Sequence, residues 1–157
     1  MALSCFHLSI PVLDLESTES WYVNVLACEV GRRSADAVIL NFFGHQLVAQ
    51  RWPRALEAVE QPGVYPRHFG LVLSDHQEWL VIEKRVRTID IGFAVEPKLR
   101  FPGEILEHRT FFLKDPAANW LEFKHYTYSE AILGCQDLQV VGDPRIVGSP
   151  APQEKVL

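Results

Sequence analysis

Three side chains stand out for the chemistry they offer together. His7 lies in Phe6-His7-Leu8-Ser9-Ile10-Pro11-Val12, His68 in Arg67-His68-Phe69-Gly70-Leu71-Val72-Leu73, and Glu122 in Trp120-Leu121-Glu122-Phe123-Lys124. Each surrounding run is rich in aromatic and β-branched residues and reads as a strand. A carboxylate in such a strand is costly unless something positive compensates it. A metal ion is one such partner. Two imidazoles and one carboxylate on one side of a divalent ion leave positions open, as in mononuclear Fe(II) sites, and the same donors also suit Mn(II), Zn(II), Ni(II) or Co(II). The plain alternatives are strand-end histidines making ordinary hydrogen bonds and a Glu122 paired with Lys124 or Arg109. For either histidine alone the plain alternative wins; together, at equivalent places, they favour ligation.

The elements that must carry these residues can be read in order. A strand over 5–12 is followed by a helix over 17–27, which Asp14 or Ser17 can cap. Strands are expected over 29–34, 37–43 and 45–50, the last two joined at Gly44 as a hairpin. Residues 53–66 hold three prolines and a glycine and read as a loop. The pattern then restarts. A strand opens at His68, Asp75 stands where a cap belongs, and a helix runs over 76–88. Strands follow over 89–95 and 108–113, with a loop over 99–106 between them. The turn Asp115-Pro116-Ala117-Ala118-Asn119 leads into the Glu122 strand. Residues 142–157 are rich in proline, glycine and charge and read as a mobile tail.

The restart is an internal repeat. Residues 6–14 match residues 67–75 without a gap, which places His7 and His68 at the same point of each half. Leu40-Asn41-Phe42-Phe43 and Gln46-Leu47-Val48-Ala49 parallel Arg109-Thr110-Phe111-Phe112 and Trp120-Leu121-Glu122-Phe123. Glu122 therefore corresponds to Val48 in the first half. The expected organisation is one domain over 1–128, with modules at about 5–52 and 67–127, and a partly mobile C-terminal extension over 129–157.

These residues, in this order and at this module spacing, resemble the vicinal oxygen chelate superfamily, also called the glyoxalase/bleomycin resistance/dioxygenase superfamily. The resemblance covers about residues 5–127. It implies an α+β fold in which paired βαβββ modules form an open, barrel-like curved sheet with helices outside. It further implies a divalent metal held by His7, His68 and Glu122, a small-molecule substrate and a homodimer. Members of the glyoxalase I type use four protein ligands. Valine cannot bind a metal, so Val48 turns the reading away from that type and toward three-ligand members, which include extradiol dioxygenases and the thiol transferases that inactivate fosfomycin. A register shift of two would offer Gln46 or Gln50 as a weak fourth ligand. The favoured expectation is an Fe(II) dioxygenase-like reaction on a substrate that chelates the metal through vicinal oxygens. A lyase, isomerase or thiol transferase stands beside it, as does a metal-free protein that sequesters a ligand.

Strand parity adds further residues facing the metal. Trp120, Lys124 and Tyr126 go with Glu122, Cys5 and Ser9 with His7, and Gln46 and Gln50 with Val48. Lys124 is expected to bind a substrate carboxylate or to stand solvated at a strand end, and Tyr126 to act as an acid. His45, His108 and His125 read as surface or supporting residues. Arg100-Phe101 reads as an ordinary turn or a loop able to cover the site.

The bulk numbers exclude other classes. The 157 residues are 48% hydrophobic and 22% charged, with a formal net charge of -5. No basic run points to nucleic acid. No apolar stretch is long enough to span a bilayer, and Met1-Ala2-Leu3-Ser4 does not open a signal peptide, so a cytoplasmic location is expected. Cys5, Cys28 and Cys135 have no CxxC spacing and read as small buried hydrophobes.

Overall fold

A computed structural model describes residues 4–59 and 61–142. Strand β1 (His7–Val12), helix α1 (Leu15–Leu26) and strands β2 (Glu29–Arg33), β3 (Ala37–Phe42) and β4 (His45–Arg51) form the first module. A short helix α2 (Ala55–Val59) leads to the second module, made of β5 (Phe69–Val72), α3 (His76–Ile89), β6 (Val95–Arg100), β7 (His108–Lys114) and β8 (Trp120–Tyr126). Each module folds into a four-stranded mixed sheet, with orders β1-β4-β3-β2 and β5-β8-β7-β6. The two βαβββ units share one topology, and the sheets do not close into a barrel.

The repeated capping signals act as expected. The Asp14 carboxylate accepts from the Ser17 backbone N–H at 2.7 Å, and Asp75 accepts from Gln77 at 2.8 Å. Each cap satisfies a donor that the first helical turn would leave unpaired. Alternation then sorts the strands. Ile10, Val12, Leu47 and Ala49 of the first sheet and Phe111, Leu113, Leu121 and Phe123 of the second are buried in one continuous core, with Tyr22 and Val25 of α1 and Trp79, Ile82 and Val86 of α3. The opposite parity leaves His7, Ser9, Glu122 and Lys124 on the other faces.

A polar clasp ties the modules together. The Tyr22 hydroxyl donates to Asp115 Oδ2 at 3.1 Å. The Asn119 side-chain amide donates to the same oxygen at 2.8 Å and to the Pro11 carbonyl at 3.1 Å. Asp115 Oδ1 accepts the backbone N–H groups of Ala117 and Asn119. Burial pushes the Asp115 carboxyl up, while these four donors pull against it.

Three expectations need correction. The 53–66 loop contains α2, because Ala-Leu-Glu-Ala after Pro53 is a strong local helix former. The strand expected over 89–95 begins at Val95 instead and takes in Leu99 and Arg100. Ile89 is the last residue of α3, and Asp90 ends the helix in the left-handed region at φ 57°. The apolar residues of 89–93 thus belong to a helix end and its exit. Pro97 is tolerated in β6 because that strand lies at a sheet edge. Finally, only Cys28 of the three cysteines is buried; Cys5 is exposed. The expected tail over 142–157 falls, from residue 143 on, outside the described residues.

Candidate functional site

The site is built around β5 and β8, which pair in parallel with Phe69 opposite Leu121 and Gly70 opposite Glu122. The strands approach so closely at Gly70 that a Cβ there would lie 1.7 Å from the Glu122 carbonyl oxygen. Glycine is the residue that permits this approach. It brings His68, just before β5, against the Glu122 side chain.

Glu122 is 8% exposed and all its contacts are short. Its Oε2 lies 3.1 Å from His68 Nε2 and 3.1 Å from Lys124 Nζ. Its Oε1 accepts from the Thr110 hydroxyl at 2.7 Å. Burial alone would raise this carboxyl, but the His68 hydrogen bond and the Lys124 charge outweigh it and hold it below its ordinary value. The same hydrogen bond raises the His68 pKa against the opposing effect of burial. His68 Nδ1 is 2.8 Å from the Val64 carbonyl, which can only accept, so Nδ1 carries a proton. His68 Nε2 therefore faces the carboxylate either as a donor or as a lone pair with a cation between them.

A cavity of about 310 Å³ opens beside this pair. Tyr65 and Phe112 give it apolar walls, Lys98, Arg100 and Lys124 give it positive charge, and Val141-Gly142 borders it. His108 is 7% exposed in its wall. Its Nδ1 lies 2.8 Å from the Leu106 carbonyl, so Nδ1 carries the proton in the neutral ring, and burial pushes its pKa down. Tyr126 packs on His108 with ring centroids 4.7 Å apart, at the edge of the site rather than in the cavity wall. A second hollow of about 280 Å³ lies on the other side of His68 and is bordered by Ser9 and Trp120.

The first module repeats this plan without the acid. Ser9 pairs with Val48 as Gly70 pairs with Glu122, so register confirms the equivalence of Val48 and Glu122. Gln46 is the neighbour of His7, and its Oε1 lies 2.6 Å from His7 Nδ1. His7 Nε2 is then the nitrogen that Gln46 does not engage, as His68 Nε2 is the one that Val64 does not engage. His7 does not join His68 and Glu122 within the chain: among the described residues no three His, Cys, Asp or Glu side chains are gathered to hold a metal.

One chain thus supplies an imidazole and a carboxylate whose facing atoms suit a divalent cation, together with Lys124, which already neutralises part of the carboxylate. His45 and His125 have structural partners, the Phe6 N–H and the Leu73 carbonyl. Thr110 and Lys98 carry no site signal in the sequence pattern, and Arg100, expected in a turn or covering loop, instead ends β6. Register supplies the missing signal, because Thr110 stands opposite Lys124 on one side and Lys98 on the other.

Comparison with known proteins places this architecture. Neither the protein-family models nor the curated proteins give a match. Solved structures do. A glyoxalase/bleomycin resistance protein/dioxygenase from Alicyclobacillus acidocaldarius is 39% identical, with TM-score 0.73, over 82% of this chain and 96% of that one. The fosfomycin resistance protein FosX from Listeria monocytogenes shares the fold at 17% identity and TM-score 0.62, over 83% of this chain and 99% of that one. A lactoylglutathione lyase from Agrobacterium tumefaciens does so at 18% identity and TM-score 0.59, over 78% and 92%. The chain belongs to the glyoxalase/bleomycin resistance/dioxygenase superfamily, the vicinal oxygen chelate fold. Among the described residues no helix is long and apolar enough to cross a membrane.

Proposed function

We propose that the protein is a divalent-metal enzyme of this superfamily, with Fe(II) and a dioxygenase-like reaction on a small metal-chelating substrate as the favoured form. The observation that carries this reading is the facing pair of His68 Nε2 and Glu122 Oε2 at 3.1 Å, with the His68 tautomer fixed from behind by Val64. Those two atoms and His7 Nε2 would hold the ion. Since His7 is not gathered with the others in one chain, we assign the third ligand to His7 of the partner subunit in a homodimer. The bound ion would supply Lewis acidity and open positions for substrate oxygens. The chain's own groups do the rest. Thr110 fixes the carboxylate, Lys124 holds negative charge on the substrate, and His108 Nε2 can take a proton from a bound hydroxyl. Tyr126 would orient His108 from its outer face.

The test is metal content and oxygen uptake of protein purified without oxygen, with catechols and a hemithioacetal offered to one preparation. His7→Ala, His68→Ala and Glu122→Ala should each lose most of the metal, since each removes one of three donors. Oxygen uptake would separate a dioxygenase from a lyase or isomerase. One observation favours a second reading, a metal-free ligand-binding protein: Lys124 Nζ sits 3.1 Å from the same oxygen a metal would use. Wild-type protein that takes up no divalent ion would end the enzyme reading and promote this one.

A further inference from the structure

One oxygen of the site has two close nitrogen neighbours. Glu122 Oε2 lies 3.1 Å from His68 Nε2 and 3.1 Å from Lys124 Nζ, while Oε1 is held by the Thr110 hydroxyl at 2.7 Å. Lys124 reaches that oxygen because it stands two residues beyond Glu122 on β8, and such neighbours share a strand face. The pair is sheltered. The Lys124 side chain is 22% exposed and that of Glu122 10%, so their attraction is screened less than that of a surface pair. Lys124 therefore does for Glu122 what a bound cation would do. It neutralises the carboxylate and engages a lone pair of Oε2, the oxygen that faces His68. The first module supplies a contrast. There Val48 stands in the place of Glu122 and Gln50 in that of Lys124. The Gln50 amide is turned elsewhere and donates to the Asp36 carbonyl at 3.0 Å. The module with the acid is thus the one with the lysine.

We infer that Lys124 is a tethered counter-ion standing in the place of a divalent ion on Glu122, so that the ion binds only as the ammonium leaves Oε2, and Lys124 sets the metal affinity of the site. This deepens the metal-enzyme reading and rests on it for its functional meaning; the hold of Lys124 on the oxygen does not. Two cations compete for one oxygen. An ion approaching Oε2 meets the repulsion of the ammonium as well as an engaged lone pair. Until then the lysine spares the fold an uncompensated buried charge. The displaced ammonium is then free to hold negative charge on a substrate, the part given to it above.

The experiment titrates metal-free, full-length protein with Zn(II) and with Co(II) by calorimetry, and follows Co(II) by its absorption spectrum as well. Lys124→Met should bind both ions about tenfold or more tighter than wild type, because a like charge beside the ion is gone. Lys124→Arg keeps the charge and should gain no such affinity, which separates charge from bulk. The thermal midpoint of metal-free Lys124→Met should fall, since Glu122 loses a partner, and added Zn(II) should raise it by more than it raises that of wild type. Where Lys124→Met does not fold, Lys124→Gln carries the same expectation. Metal uptake by the methionine variant but not by wild type would end the enzyme reading and leave this inference standing. Uptake by wild type with equal or weaker affinity in the methionine variant, or equal tightening in the arginine variant, would overturn the inference and leave the enzyme reading intact. Uptake by none of them would overturn both.

Discussion

Gly70 and Glu122 face each other across β5 and β8 with no room for a single methyl group between them. The Glu122 carboxylate and the glycine are thus one structural unit. Gly70→Ala would push β5 away from β8 or disrupt their pairing. We expect a loss of at least about 2 kcal/mol in unfolding free energy, as for an overpacked core. On the proposed metal site, metal uptake should fall with it, since His68 immediately precedes β5. Denaturant unfolding of Gly70→Ala at near wild-type stability would contradict this geometry.

The His68–Glu122 pair also makes stability depend on pH. The folded pKa of His68 is raised above its ordinary value of 6.5, chiefly by the Glu122 hydrogen bond. A raised pKa gives stability that is complete below the unfolded value and is lost as pH rises through the folded one. In metal-free protein, the stability difference between wild type and His68→Gln should therefore shrink as pH rises above 6.5. A difference that grows over that range would show that the pair is not an imidazolium–carboxylate contact.

The Tyr22–Asp115–Asn119 clasp should hold the modules in register. Tyr22→Phe removes one donor to a buried carboxylate and should cost about 1–3 kcal/mol. Asn119→Ala breaks the bonds to both Asp115 and Pro11 and should cost more. Equilibrium unfolding measures both; a neutral Tyr22→Phe would mean that water replaces the hydroxyl without loss.

Thiol labelling should distinguish the cysteines cleanly. Burial pushes the Cys28 thiol up to about 12, so it remains a protonated, unreactive group at neutral pH. Cys5 is exposed and should react with a disulfide reagent in the folded protein, whereas Cys28 should react only on unfolding. Rapid labelling of Cys28 in native buffer would place it outside the core.

Much of this arrangement is legible in the sequence because the repeat is ungapped where it counts. Matching 6–14 to 67–75 locates both histidines, both caps and the strand on which each module is founded. Strand parity likewise puts Lys124 on the face of Glu122. The stretch after α3 is harder. Ile89, Ile91 and Phe93 alternate as a strand would, yet the helix continues through Ile89 and Asp90 adopts the left-handed cap. Misplacing β6 hides Lys98 and Arg100, because their role depends on which residue of β7 they oppose. His7 is legible as a candidate, but whether it meets Glu122 depends on how modules associate, and local pattern carries no record of that.

The clasp also has a mechanical side. Asn119 is gripped by the first module, and Glu122 stands only three residues further along the same chain, about 10 Å of strand. Between them β8 is paired on both sides, with β5 and with β7, and has little freedom to bend. A rigid rod anchored at one end transmits displacement instead of absorbing it. Any shift of one module against the other would therefore arrive at the carboxylate almost undiminished, so that the packing of two half-domains sets the aim of a single oxygen atom.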